Sequence, residues 1–176
     1  MGLPDIKKLR ELTSLGINDC KKALSESKGD FDKALKILKS KGVQMLEKKS
    51  SRVTRQGVID SYVHFGGNLA VLVEVNCETD FVARTDVFKK FVKDMTMQVA
   101  AANPEHIAKE DISEDILKSV KNKDEYIKQY CLLEQTFVKD NKLLVGDYLR
   151  NTVSQTGENI VIKRFVRFSL GETDAG

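Results

Sequence analysis

The stretch Val58-Ile59-Asp60-Ser61-Tyr62-Val63-His64-Phe65, then Gly66-Gly67-Asn68, then Leu69-Ala70-Val71-Leu72-Val73-Glu74-Val75, decides the fold. Its apolar residues recur at a period near two, many are β-branched, and a Gly-Gly-Asn corner separates the two runs, which is a strong short-range signal for a β-hairpin. Working outward, Val87, Phe88, Phe91, Val92, Met95, Val99 and Ala102 recur at three and four residues. That spacing predicts a long amphipathic helix lying on the hairpin and ending at Asn103-Pro104. Beyond it the pattern predicts a helical region over roughly 113–133, a loop over 137–141 and a short helix over 144–153. Asn159 to Leu170 then forms a last strand that joins the hairpin as its third. Strands interrupted by helices, with two strands adjacent, predict an α+β fold whose small antiparallel sheet is covered on one face by helices.

The second strand runs directly into Asn76-Cys77-Glu78-Thr79-Asp80-Phe81-Val82-Ala83-Arg84. Here a phenylalanine stands beside an aspartate on what should be a polar corner. Two readings are open: Phe81 is a staple packed under the next helix, or it is a wedge aimed at another molecule.

Residues 1–50 read as a compact helical module. Pro4 and Asp5 suit a helix start, and Ile6, Leu9 and Leu12 share a face. Gly16 breaks that helix, Ile17-Asn18-Asp19 supplies a cap, and Cys20-Lys21-Lys22-Ala23-Leu24 resumes the helical pattern. Gly29-Asp30 repeats the device before a third helix with Phe31, Ala34, Leu35 and Leu38 inward. Lys21 and Lys22 read either as a solvated face or as a docking contact. The polar, basic segment Glu47 to Gln56 has no sustained apolar face and reads as a linker, centred on residues 51–56, ahead of a core unit at 57–176. A nucleic-acid arm would share its composition, but it has no interleaved aromatic residues for base stacking.

Composition narrows the function classes. With 176 residues and 41% hydrophobic content the chain can bury one ordinary core plus a small module, and a net charge of +3 is too even to demand nucleic acid. The three scattered cysteines argue against a disulfide scaffold or a zinc site and for a reducing compartment. The start MGLPDIKKLRELT lacks the apolar block of a signal peptide, so a soluble protein of the cytoplasm, or of a plastid or mitochondrial matrix, is expected. No GxxxxGK[ST], HExxH, GxSxG or dinucleotide fingerprint occurs, and the histidines are only His64 and His106. Glu78 and Asp80 lack the surroundings of a catalytic pair, so the chain is read as a non-enzyme with no cofactor and no metal.

Taken together, DCKKAL in the helical module, the basic linker, the hairpin ending in NCETDFVAR and a last strand introduced by TGENIVIKRF resemble the elongation factor Ts family. Its members are guanine-nucleotide exchange factors of elongation factor Tu. The likeness runs from Leu9 to about Asn103 and resumes at LLEQTFVKDNK. The resemblance implies an N-terminal module of the ubiquitin-associated type, with elongation factor Tu as partner and no direct nucleotide binding. It implies that Phe81 inserts near the partner's nucleotide site, that Asp80 engages neighbouring polar groups with Thr79 and Val82 in the same motif, and that Lys21 and Lys22 dock. It assigns His64 and the Thr156-Gly157 turn to the partner-facing side; His64 reads equally well as a surface residue of its strand. The chain departs from the family at Ile17-Asn18, where a glycine-methionine pair is usual, and in a shorter, lysine-rich segment between Ile116 and Leu132. It also has a single core unit where longer members have two, which suggests that two chains associate through the sheet or its edge to supply the second. Two rivals of other classes are a helical adaptor of the ubiquitin-associated type and an RNA-binding accessory factor using the linker and the Lys163–Phe168 strand.

Overall fold

The computed structural model describes residues 3–13 and 15–172, with Leu3 and residues 43–50 described in backbone only. The N-terminal helices are α1 (Leu3–Thr13), α2 (Ile17–Glu26) and α3 (Phe31–Ser50). They enclose a cluster of Ile6, Leu9, Leu15, Cys20, Ala23, Leu24, Ala34 and Leu38, with Phe31 and Leu35 packed against it. Leu12 departs from expectation and is 52% exposed. Thr13 takes the inward position instead, four residues after Leu9, and its hydroxyl donates to the Leu9 carbonyl at 2.7 Å. The cap of α2 also differs: Gly16 is its N-cap in extended conformation, and the helix already includes Ile17. Asp19, released from capping, pairs with Lys41 Nζ at 2.5 Å. Asp30 does cap α3, accepting from Lys33 N at 3.0 Å.

Helix α3 continues to Ser50, so Glu47–Ser50 is helical rather than linker in its backbone, and the side chains of that part lie outside the described residues. The connection to the core is therefore short. The expected core span likewise ends at 176, while 173–176 lie outside the described residues.

Strands β1 (Gln56–Val63) and β2 (Leu69–Cys77) form the predicted hairpin, and β5 (Ile160–Ser169) is the third strand, in the order β1-β2-β5 with both pairings antiparallel. The first strand stops at Val63, short of Phe65, because the turn opens there: Gly67 N donates to His64 O at 2.9 Å, and Gly66 and Gly67 adopt φ of 93° and 70°. At its other end β1 needs Gly57, since a Cβ there would lie 2.2 Å from the Val75 carbonyl oxygen. A bulge in β5 separates the Glu74↔Arg164 pair from Val75↔Ile162.

One sheet face, through Val71, Val73, Val75, Cys77, Ile160 and Ile162, packs against Phe88, Phe91, Val92, Met95 and Val99 of α5 (Asp86–Ala102). Val87 is exposed, so the buried stripe starts one residue later than expected. Asn103 ends α5 in the left-handed conformation.

The expected helix over 113–133 is broken in two, α6 (Glu114–Ser119) and α7 (Lys123–Tyr130), because Ser113 and Asn122 each cap a new helix. The expected loop at 137–141 is a second hairpin of β3 (Thr136–Phe137) and β4 (Asp140–Leu144), leading into α8 (Val145–Thr156). Buried polar groups fix that hairpin to α5. Asp94, 3% exposed, accepts from Lys139 Nζ at 2.6 Å and from the Tyr148 hydroxyl at 2.8 Å. Gln98, fully buried, donates to Gln135 and to the Thr136 carbonyl and accepts from Val138 N. Such anchors are invisible to apolar periodicity, which is why the hairpin reads as loop. No helix among the described residues is long and apolar enough to cross a membrane.

Candidate functional site

At the end of β2 the chain turns through Glu78 and Thr79 into the one-turn helix α4 (Asp80–Ala83). Thr79 is its N-cap: the side-chain oxygen accepts from Val82 N at 3.4 Å. Thr85 then caps α5, accepting from Phe88 N at 3.3 Å while donating to Val82 O at 2.8 Å. Two threonine caps in sequence hold the corner locally.

The longer-range frame comes from Glu158, just after α8. Its Oε2 accepts from the backbone N–H of Glu78 at 3.1 Å and of Thr79 at 3.0 Å, and its Oε1 accepts from the Thr79 hydroxyl at 2.6 Å. Glu78 answers in kind: its Oε1 accepts from Asn159 N at 2.6 Å and lies 3.4 Å from Arg52 Nη1. Asn159 Nδ2 donates to the Arg52 carbonyl at 3.0 Å, which ties the exit of the helical module to the same frame. Beneath the corner the buried Cys77 thiol donates to Thr79 O at 3.1 Å. Burial first, and the Glu158 carboxylate second, push this thiol up to about 11.

On this frame the apolar residues divide. Val82 and Ala83 face the core, while Phe81 is 80% exposed and so is no staple under the next helix. Asp80 pairs with Arg84 at 2.9 Å on the exposed side of α4. The carboxylates of Glu78, Asp80 and Glu158 therefore have separate partners rather than a shared site. His64 meets the Tyr62 hydroxyl at 2.8 Å, and His106 meets the Tyr126 hydroxyl at 3.3 Å. Among the described residues no cluster of His, Cys, Asp and Glu could hold a metal ion. What the corner offers chemically is an apolar projection on a hydrogen-bonded polar base.

Of the residues singled out from sequence, Thr79, Asp80, Phe81 and Val82 are contiguous on the corner. The Thr156-Gly157 turn is brought beside them through Glu158; Gly157 ends α8 with φ of 77°, and the Thr156 hydroxyl donates to Thr152 O. His64 lies apart, in the turn after β1 at the opposite end of β2, whose length from Leu69 to Cys77 is roughly 26 Å. Lys21 and Lys22 are exposed on α2, in the other apolar cluster's module. Sequence reasoning missed Glu158, Asn159 and Arg52. No pattern in the sequence marks the first two by itself; the strand register does, since with Cys77 opposite Ile160 its continuation places Glu78 opposite Asn159 and Thr79 opposite Glu158.

Comparison with known proteins bears on this arrangement. The family described as "Elongation factor TS" matches residues 17–124 and 122–172. Elongation factor Ts of Thermoanaerobacter sp. (strain X514) is 45% identical over 95% of this chain and 93% of the relative. That of Methylacidiphilum infernorum (isolate V4) is 47% identical over 95% and 94%, and that of Thermotoga neapolitana 44% over 95% of each. With both core and corner inside the matched region, the chain belongs to the elongation factor Ts family of translation elongation factors.

Proposed function

We propose that the protein binds elongation factor Tu in its GDP form and accelerates GDP release, with Phe81 as the wedge. The observation that carries this reading is a phenylalanine 80% exposed on a corner held by two threonine caps and a long-range carboxylate frame. Aromatic anchors dominate interface energetics, and one already fixed in place loses little freedom on docking. Inserted beside the partner's nucleotide site, Phe81 would shift the loops that support Mg²⁺. That ion demands near-ideal octahedral oxygen geometry, so a small displacement loosens the diphosphate. By linkage, a factor that prefers the nucleotide-free partner lowers GDP affinity by the same coupling free energy.

In this reading Asp80 is a polar contact beside the wedge, Thr79 and Val82 support it from the cap and from beneath, and Gly157 and Thr156 flank it. Lys21 and Lys22 dock the helical module, and His64 makes a peripheral contact. The protein would act in the bacterial cytoplasm, where its relatives' hosts place translation. The test is release of a fluorescent GDP from bacterial elongation factor Tu. Acceleration by the native chain, lost in Phe81→Ala, supports the wedge; no acceleration well above micromolar concentration overturns exchange activity.

A specific observation favours a second element, association of two chains. The sheet face opposite α5 exposes Ile59, Val63, Leu72, Val166 and Phe168, with the Glu74–Arg164 pair at 2.7 Å on the same face. Leu72 pairs with Val166, and Val63 and Phe168 lie on either side of Ala70, so three strands contribute apolar side chains to one exposed face of the kind that an isologous contact covers. Light scattering at micromolar concentration should give the mass of a dimer, and a monomer there removes the idea.

A further inference from the structure

We infer that Glu158 is a positioning residue for nucleotide exchange: its carboxylate holds the Glu78–Thr79 backbone so that Phe81 is presented outward. The inference rests on the exchange reading above. Strand pairing stops at Cys77↔Ile160, so the N–H groups of Glu78 and Thr79 lie past the last paired residue of β2. One carboxylate, from a residue 79 positions further along the chain than Thr79, takes both of them together with the Thr79 hydroxyl. Those three bonds fix Thr79 at φ −126° and ψ 156°, the dihedrals from which α4 and the direction of Phe81 follow. Local capping alone is weaker here, since the Val82 N to Thr79 oxygen distance is 3.4 Å.

Without the carboxylate the corner samples other geometries, and only a fraction of molecules present Phe81 correctly. The apparent affinity for the partner then falls by that fraction, while the fully bound complex is the same. This separates positioning from insertion. Loss of Phe81 removes the wedge itself and lowers both affinity and the rate at saturation; loss of Glu158 raises only the concentration needed to reach saturation.

The experiment is GDP release from bacterial elongation factor Tu, titrated with the full chain and its variants. Glu158→Ala should raise the half-saturating concentration about tenfold and leave the saturating rate within about twofold, as expected for a conformational tax on binding. Glu158→Gln, equal in length and still offering an oxygen to both backbone N–H groups, should recover most of the loss. Glu158→Asp keeps the charge but retracts it by one methylene, so it should fall between; it decides the matter if the alanine variant fails to fold. In a Phe81→Ala background Glu158→Ala should add nothing. An unchanged half-saturating concentration in both Glu158→Ala and Glu158→Asp, or an equal loss with and without Phe81, overturns the inference while the exchange reading stands. A native chain that fails to accelerate release overturns the reading itself, and this inference with it.

Discussion

Strand β2 carries an exposed phenylalanine beyond each of its ends, and the two are built differently. Phe81, past Cys77, stands on a corner whose backbone is tied to residues about 80 positions away through Glu158 and Glu78. Phe65, before Leu69, is 96% exposed in the His64–Asn68 turn, which closes through His64 N to Leu69 O and Gly67 N to His64 O and has one distant tie, from Leu170 N to Asn68 O at 2.9 Å, on the side away from Phe65 in sequence. The tip is the more exposed of the two and the less constrained. Under the proposed function, exposure alone would therefore not mark an anchor. What distinguishes the corner is the number of distant hydrogen bonds that hold its backbone, so that in the proposed exchange reading docking there would cost little further ordering.

The largest expected effect follows at once. Phe81→Ala should lower exchange efficiency by about 30-fold, the size of a ~2 kcal/mol hot spot. Because the side chain touches little of its own protein, stability should stay within about 0.5 kcal/mol. A variant that loses activity only by melting would place Phe81 with the core instead. Next comes Glu78→Ala, which removes the acceptor of the Asn159 N–H and of Arg52. Thermal or urea unfolding should show a loss of about 1.5–2 kcal/mol, the low end for bonds to charged groups, as suits a partly exposed carboxylate. Equal stability would mean that the frame is dispensable at this side.

A smaller effect separates the two ends by pH. Burial raises the Cys77 thiol from an ordinary value of 9.0 to about 11, so the folded chain holds this proton more tightly than the unfolded one. The associated stability is complete below about pH 9 and is lost as pH rises through 9 towards 11. Cys77→Ser cannot ionise in that range, so its melting temperature should fall less steeply between those pH values than the native chain's. Identical slopes would remove Cys77 from the alkaline limit.

The contrast between the ends also explains what was legible in the sequence. The hairpin, α5 and β5 announce themselves through periodicity, because burial of one face imposes a period of two on strands and near 3.6 on helices. The corner announces its residues but not its support. TDFVA reads as unusual, whereas Glu158 and Asn159 acquire a role only once β5 is paired with β2 in the observed register. The β3–β4 hairpin was hidden for a related reason: Asp94 and Gln98 sit on the inward side of α5 as polar residues, and their partners at Lys139 and Val138 are set by tertiary contact. Leu12 turns outward because a three-residue spacing drifts off a 3.6-residue face, and Thr13 falls nearer the line through Ile6 and Leu9.

The smallest expected effect is the one most able to break the comparison. Phe65→Ala removes a side chain that is almost wholly in solvent, from a turn whose glycines at φ of 93° and 70° give the backbone wide freedom when unpaired. To serve as an anchor, Phe65 would have to order that turn on docking, and the cost would offset much of what its burial contributes. The half-saturating concentration in GDP release should therefore change by less than about twofold, within what a peripheral contact supplies. A loss as large as that of Phe81→Ala would mean that exposed aromatic area, wherever it sits on β2, sets the interface. The carboxylate frame at the corner would then serve the fold and not the partner.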